Sequence, residues 1–478
     1  MSLLIKGGEV FDGSGGTPKK SDVLVIGGRV AAMGDLAGYK ADKVVSAAGD
    51  CVLPGFVDVS SSSDSRLSLL SEPRQADYLK QGVTTIVCGA KGKSLAPAMY
   101  AGEVNSSNAG WQTMGNYLEA VSALRLGVNF ASFSGFESVR RSITYKPRNL
   151  GKKEISVLSH ILGSHMEEGS VGLSLGDEGF SGFDASKEEI SAVIGVLSQA
   201  GKAAFVSLKA EDKPYMPFAE AGVTTIVGNL NGSLKSAAAF EKIAAAVEKK
   251  ALKAEFAFAF SPYPYFEFKA SEAFPADAGK SGLSSIIGNL GKKRILGFFS
   301  KKIKEFNPEE TFIYDTSKKE ARFLLGKSMA EFAENRGLDA EEAFIRVIAI
   351  CGPDTVFLSR MADLSLVDKV ASHPKSIVAG SVWSPMSDIS GLHSELSDPF
   401  VEFIRQADRL GLRLELVAKK LSAPARMLGL KKRGMVKEGF AADIVVLKNK
   451  RPDLVLVNGE IAYGNGSASE SRSGEVLS

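Results

Sequence analysis

Val171-Gly172-Leu173-Ser174-Leu175, then residues 187–199, then residues 203–208 read in turn as strand, helix and strand. The two apolar runs are short and bounded by turn residues, as buried strands are. The longer segment between them carries a helical apolar period. The same unit recurs outward from this stretch. Upstream lie 52–59 and Thr84-Thr85-Ile86-Val87. Downstream lie 223–227, 236–250, 255–260, 340–349 and Ser376-Ile377-Val378-Ala379. Strands alternating with helices predict a parallel sheet, and about seven or eight such units predict a closed (β/α)8, TIM-like barrel.

The two ends have a different texture. Leu3-Leu4-Ile5 is followed by Gly7-Gly8, and Val23-Leu24-Val25-Ile26 by Gly27-Gly28. Near the other end stand Asp443-Ile444-Val445-Val446-Leu447 and Leu454-Val455-Leu456-Val457, the latter before the turn Asn458-Gly459. Short β-rich runs punctuated by glycine pairs predict antiparallel strands. Residues 1–54 and 431–465 are therefore expected to build one small β-sandwich from both chain ends, around a barrel of residues 55–430. The Gly/Ser/Glu-rich residues 466–478 are expected to form a flexible tail. No internal repeat is found. Gly13-Ser14-Gly15-Gly16 does not open a helix after a strand, so it reads as a turn and not a cofactor loop.

With 478 residues, 44% of them hydrophobic and 24% charged, the chain can bury a sizeable core. A net charge of +3 with interspersed signs gives no footprint for nucleic acid or an anionic membrane. Cys51, Cys88 and Cys351 form no CxxC pair and argue against a disulfide framework. The opening residues lack the charged and apolar regions of a signal peptide, and no run of about 18 apolar residues suggests a membrane span. A cytoplasmic protein is expected. The histidines number four: His160, His165, His373 and His393.

Several stretches resemble the amidohydrolases: Leu3 to Val10, Asp12-Gly13, Ile26 to Gly34, and Pro54-Gly55-Phe56-Val57-Asp58-Val59. Gly82-Val83-Thr84-Thr85-Ile86-Val87 with Ser94-Leu95-Ala96-Pro97, Tyr263-Pro264-Tyr265, and Pro424-Ala425-Arg426-Met427-Leu428-Gly429-Leu430 are similar to the N-acyl-D-amino-acid deacylase (D-aminoacylase) branch. The close, from Arg433-Gly434 through Ala442-Asp443-Ile444-Val445 to Val457-Asn458-Gly459, fits as well. The motifs run in order along nearly the whole chain. The resemblance implies a barrel with a β-sandwich and zinc-dependent hydrolysis of N-acylated D-amino acids. In that family two histidines at i and i+2 on the first barrel strand face one side and share a metal. The metal polarises a carbonyl and lowers the pKa of bound water to about 7.

The matched positions hold different chemistry. After Val59 comes Ser60-Ser61-Ser62-Ser63-Asp64, so the histidine pair falls on Ser60 and Ser62. The family's cysteine ligand falls on Lys91, its next histidine on Ser207 with Lys209 at the following arginine, and a further histidine near Gly228. The catalytic aspartate falls on Val382. A hydroxyl is a poor zinc ligand, and an ammonium has no lone pair to give. No zinc or other cofactor is expected.

His160 and His165 are five apart on an expected helix and do not stack on one face; these two, His373 and His393 are expected to be surface or capping residues. Asp177-Glu178 and Glu211-Asp212 are expected to lie in solvated loops, and oxygen-rich cation sites are the alternative. Asp64 either enters the mouth or caps the next helix. Lys91 either snorkels to solvent or puts an ammonium where the family holds a cation. Lys209 offers a point charge for a carboxylate. Ser60, Ser62, Asp64, Lys91, Ser207, Lys209, Tyr263 and Val382 are thus expected to surround one pocket, with no catalytic residue assigned. The expected function is a catalytically inactive D-aminoacylase-like protein that binds a small molecule such as an N-acyl amino acid, or a protein partner. That partner is a second copy or an active relative. The alternative is a C–N hydrolase of N-acyl amino acids or related amides, with a relocated metal or a Ser–Lys mechanism.

Overall fold

The computed structural model describes residues 2–64, 68–97, 110–144, 148–176, 185–208, 215–249, 254–270, 303–316, 318–352, 354–380 and 398–478. Eight barrel strands are present among them: β1 Phe56–Asp58, β2 Val83–Cys88, β3 Asn129–Ser132 continued by Ser134–Gly135, β4 Gly172–Leu175, β5 Ala203–Ser207, β6 Thr225–Gly228, β7 Phe256–Phe260 and β8 Ser376–Val378. Neighbours pair in parallel from β1 to β3 and from β3 to β8. The ring closes where Gly380 N donates to Asp58 Oδ1 at 3.1 Å.

Each strand is buried on both faces, which is why these runs are almost wholly apolar. Val57, Val87, Phe133, Phe205, Ile226 and Ala259 fill the interior. Phe256 and Phe258 pack outward with Phe240 and Leu366 of the surrounding helices. The helix expected over 187–199 is Lys187–Ala200. Ser186 caps its start through Glu189 N, and Gly201 ends it in the left-handed region at φ +63°.

Expectation and structure differ at three places. The run 52–59 is two strands, Cys51–Pro54 and Phe56–Asp58, parted at Gly55, where any side chain would run into Thr84. The β domain expected from both chain ends is present, as a nine-stranded sheet curled over a single core of Leu3, Ile5, Val23, Ile444 and Leu456. Cys51–Pro54 pairs antiparallel with Ile444–Lys448 and joins the two chain ends. Between β7 and β8 the chain leaves the barrel. Tyr265–Lys269, Thr311–Asp315 and Val356–Arg360 form a separate antiparallel sheet over its own core of Phe268, Phe306, Phe344 and Phe357.

The tail is ordered, which corrects the flexible segment expected for 466–478. Ser467–Ala468 adds a strand to the curled sheet. Phe130 N donates to Glu475 O at 2.8 Å, and Leu477 N donates to Phe130 O at 2.7 Å. Gly474 lies so close to Val128 that no side chain fits there. Leu477 packs against the barrel interior, and Glu475 meets Arg433 at 2.6 Å. The composition is that of a loop, but these residues each make a specific contact.

Candidate functional site

A cavity opens where the C-terminal ends of the barrel strands meet the inserted sheet. Ser60, Lys91, Phe205, Gly228 and Tyr263 line it. β1 ends at Asp58 and the chain bends through Val59 and Ser60. The bend puts Val59 in the interior core and Ser60 on the cavity wall. The next serines alternate. Ser61 shares a hydrogen bond with Tyr78 at 2.7 Å and Ser63 donates to Gln75 at 2.9 Å, in a buried network. Ser62 is half-buried and is not among the cavity's lining residues.

Asp64 neither lines the cavity nor caps a helix through any bond described. Its Oδ2 accepts from Gly89 N at 3.0 Å and so ties down the loop that carries Lys91. That loop runs through the left-handed region at Gly89, Lys91 and Gly92, with φ of +72°, +57° and +80°. Two are glycines, for which the conformation is free; at Lys91 it is adopted against a steric cost. Ser174 Oγ donates to Gly89 O at 2.5 Å and accepts from Gly92 N at 2.9 Å, holding the turn from β4. Lys91 is half-buried and makes no hydrogen bond or ion pair with any described residue.

Ser207 ends β5, two residues beyond Phe205 and so on the same inward face. It is fully buried, and its Oγ has no partner among the described residues. In the ladder it stands opposite Gly228. A Cβ at 228 would run into the Phe205 ring, so the glycine is what lets that ring lie across the barrel. Tyr263 is placed by the inserted segment's entry, and burial raises its hydroxyl pKa.

Asp58 is the residue that sequence reasoning passed over. It is fully buried, and its Oδ1 accepts from Ser60 N and Gly380 N at 3.0 and 3.1 Å. Its Oδ2 has no partner among the described residues. Burial pushes the carboxyl up to about 8, against the pull of those N–H groups and of the nearby Lys91 ammonium. A carboxylate inside the run Phe56-Val57-Asp58-Val59 was the available signal, since an aspartate is seldom buried without a task.

The structure thus brings Ser60, Lys91 and Tyr263 to one cavity; Ser207, on the strand that carries Phe205, is fully buried and not among the lining residues. Lys209, Val382, His393, Asp177-Glu178 and Glu211-Asp212 lie outside the described residues. The other histidines are elsewhere. His160 is exposed on its helix. His165 corrects the surface expectation: it is buried, bonded to Ser134 at 2.8 Å, and burial pushes it down to about 4. His373 caps the end of Leu364–Ser372 and packs on Phe240 and Phe258. Among the described residues no three His, Cys, Asp or Glu side chains gather as a metal site would require.

No family model matches the chain. It is 27% identical over 470 residues to the N-acyl-D-glutamate deacylase of Alcaligenes xylosoxydans xylosoxydans, covering 93% of this chain and 87% of that one. It is 25% identical over 472 residues to the N-acyl-D-aspartate deacylase of the same organism, covering 93% and 85%. The crystal structure of N-acyl-D-glutamate deacylase from Bordetella bronchiseptica, complexed with zinc and a phosphonate inhibitor, superposes with a TM-score of 0.76 at 22% identity over 99% of both chains. D-aminoacylase superposes at 0.74, again over 99% of both. In its ordered motifs, its barrel with an attached β domain and this end-to-end similarity, the chain strongly matches the N-acyl-D-amino-acid deacylases, enzymes of the amidohydrolase superfamily.

Proposed function

We propose that this D-aminoacylase-like amidohydrolase has given up metal-dependent hydrolysis and binds a small molecule in its barrel mouth. One observation carries the reading. The wall where a metal would be held offers Ser60, Lys91 and Gly228: a hydroxyl, an ammonium and no side chain at all. Zinc is held by thiolate, imidazole or carboxylate, and these groups do not fit it. The relatives hydrolyse the amide C–N bond of N-acyl-D-amino acids. Here no step is assigned to a metal, and an N-acyl amino acid is the kind of ligand the reading favours. Among the described residues no helix is long and apolar enough to cross a membrane. With three free cysteines, a cytoplasmic role is part of the proposal, as is association with a second copy or with an active relative.

The test is elemental analysis of protein purified without chelator or a metal-binding tag, paired with an assay on N-acetyl-D-amino acids. Well under one metal per chain and no hydrolysis are expected. A stoichiometric transition metal, or hydrolysis abolished by chelator, overturns the reading. Hydrolysis that survives chelator and vanishes in Lys91→Ala replaces it with a Ser–Lys hydrolase.

A further inference from the structure

Lys91 is a cation on a cavity wall, and no anion among the described residues is bonded to it. Its loop is fastened on both sides, by Asp64 to Gly89 and by Ser174 to Gly89 and Gly92. The backbone is held left-handed at Lys91 itself. An ammonium that merely snorkelled to solvent would need neither the anchored turn nor the strained residue. Glu267, an acid in the cavity lining, already has a partner of its own. Asp58, with its carboxyl held up near 8, carries little charge near neutral pH to answer Lys91.

Ser207, on the strand that carries Phe205, is wholly buried and not among the residues that line the cavity, and its hydroxyl has no described partner. A buried polar atom without a partner costs free energy unless something supplies the bond. The opposite wall is apolar and aromatic, with Tyr265, Phe266, Tyr314 and Leu358 from the inserted sheet and the segment leading to it.

We infer that the mouth is an oxyanion site: Lys91 receives the acidic head of a small organic acid, and its apolar arm lies against Tyr265, Phe266 and Leu358. The inference rests on the metal-free reading proposed above. It inverts the polarity expected of a metal centre, because the ligand's anion, rather than a bound cation, comes to the barrel axis. Carboxylic and phosphonic acids share this chemistry. Ammonium-to-oxyanion bonds are charge-assisted and stronger than neutral ones.

The experiment is calorimetric titration of the full chain with benzoate, phenylphosphonate and benzamide, on samples whose metal content has been measured. At least one of the two anions is expected to bind about tenfold or more tighter than benzamide, which has the same shape and no charge. Lys91→Met is expected to weaken that anion by a similar factor, and Lys91→Arg to retain it. Which anion wins distinguishes a carboxylate from a phosphoryl ligand. Benzamide binding as tightly as both anions overturns the inference, as does unchanged anion affinity in a folded Lys91→Met protein. No anion binding to metal-free protein sinks this inference and leaves the proposed function standing. A stoichiometric metal sinks the proposed function whatever the titration shows.

Discussion

The two ends of the barrel treat buried polar groups in opposite ways. At the end closed by the tail, buried polar groups are bonded to partners. Arg433 pairs with Asp443 and with Glu475, Asn129 donates to Asp443 at 3.0 Å, and Asn458 donates to Asn129 at 2.8 Å. Lys420 is likewise buried, with its ammonium on Ser376 Oγ at 2.6 Å and on the carbonyl of His373. At the mouth, Lys91, Ser207 Oγ and Asp58 Oδ2 have no hydrogen-bond partner among the described residues. A saturated network holds a fold together; an unsaturated one keeps bonding capacity for something that arrives later.

That contrast can be broken by mutation. The largest effect is expected at the closed end. Arg433→Met leaves Asp443 buried without its cation and should cost about 3–5 kcal/mol in denaturant unfolding. Lys91→Met should stay within about 1 kcal/mol. Equal costs at the two positions would erase the distinction.

Next in size is a pH effect. Asp58 is held near 8 in the fold against 3.8 when exposed. Between those values the fold keeps a proton that the unfolded chain releases, so stability falls as pH rises through the window. His165 has the opposite sign. It is held down to about 4 from 6.5, so its contribution is lost as pH falls through that lower range. Lys420, which burial pushes down to about 7, also titrates between pH 6.5 and 8 with the opposite sign, so the test is the difference between the two proteins: Asp58→Asn should remove a downward contribution of about 1.5 kcal/mol across that window. A stability profile there that the substitution leaves unchanged would mean that Asp58 is ionised in the fold. The smallest effect is expected for Ser207→Ala, within about 0.5 kcal/mol or slightly stabilising, because it deletes an unanswered hydroxyl. A loss above about 2 kcal/mol would show a structural bond at that serine.

The barrel was legible because its strands are apolar on both faces and its helices keep a strict period. The inserted sheet was not, since Phe266, Phe268 and Phe357 read like barrel strands and only their antiparallel pairing sets them apart. The tail misled for a different reason. Composition averages over Gly474, Glu475 and Leu477, whereas the fold uses each one singly: a close approach, an ion pair and a packing contact. At the mouth, the order of motifs led to Ser60, Lys91, Tyr263 and Ser207. It did not reveal Asp58, whose state depends on burial, or Phe205, whose ring crosses the barrel only because position 228 lacks a side chain.

That last arrangement works as a ratchet. A histidine introduced at 228 would meet the Phe205 ring, and trimming Phe205 alone would open a hole in the interior core beside Phe133. Either first step is penalised before the second can help. A side chain at this position therefore calls for a paired change at Phe205 rather than a single substitution.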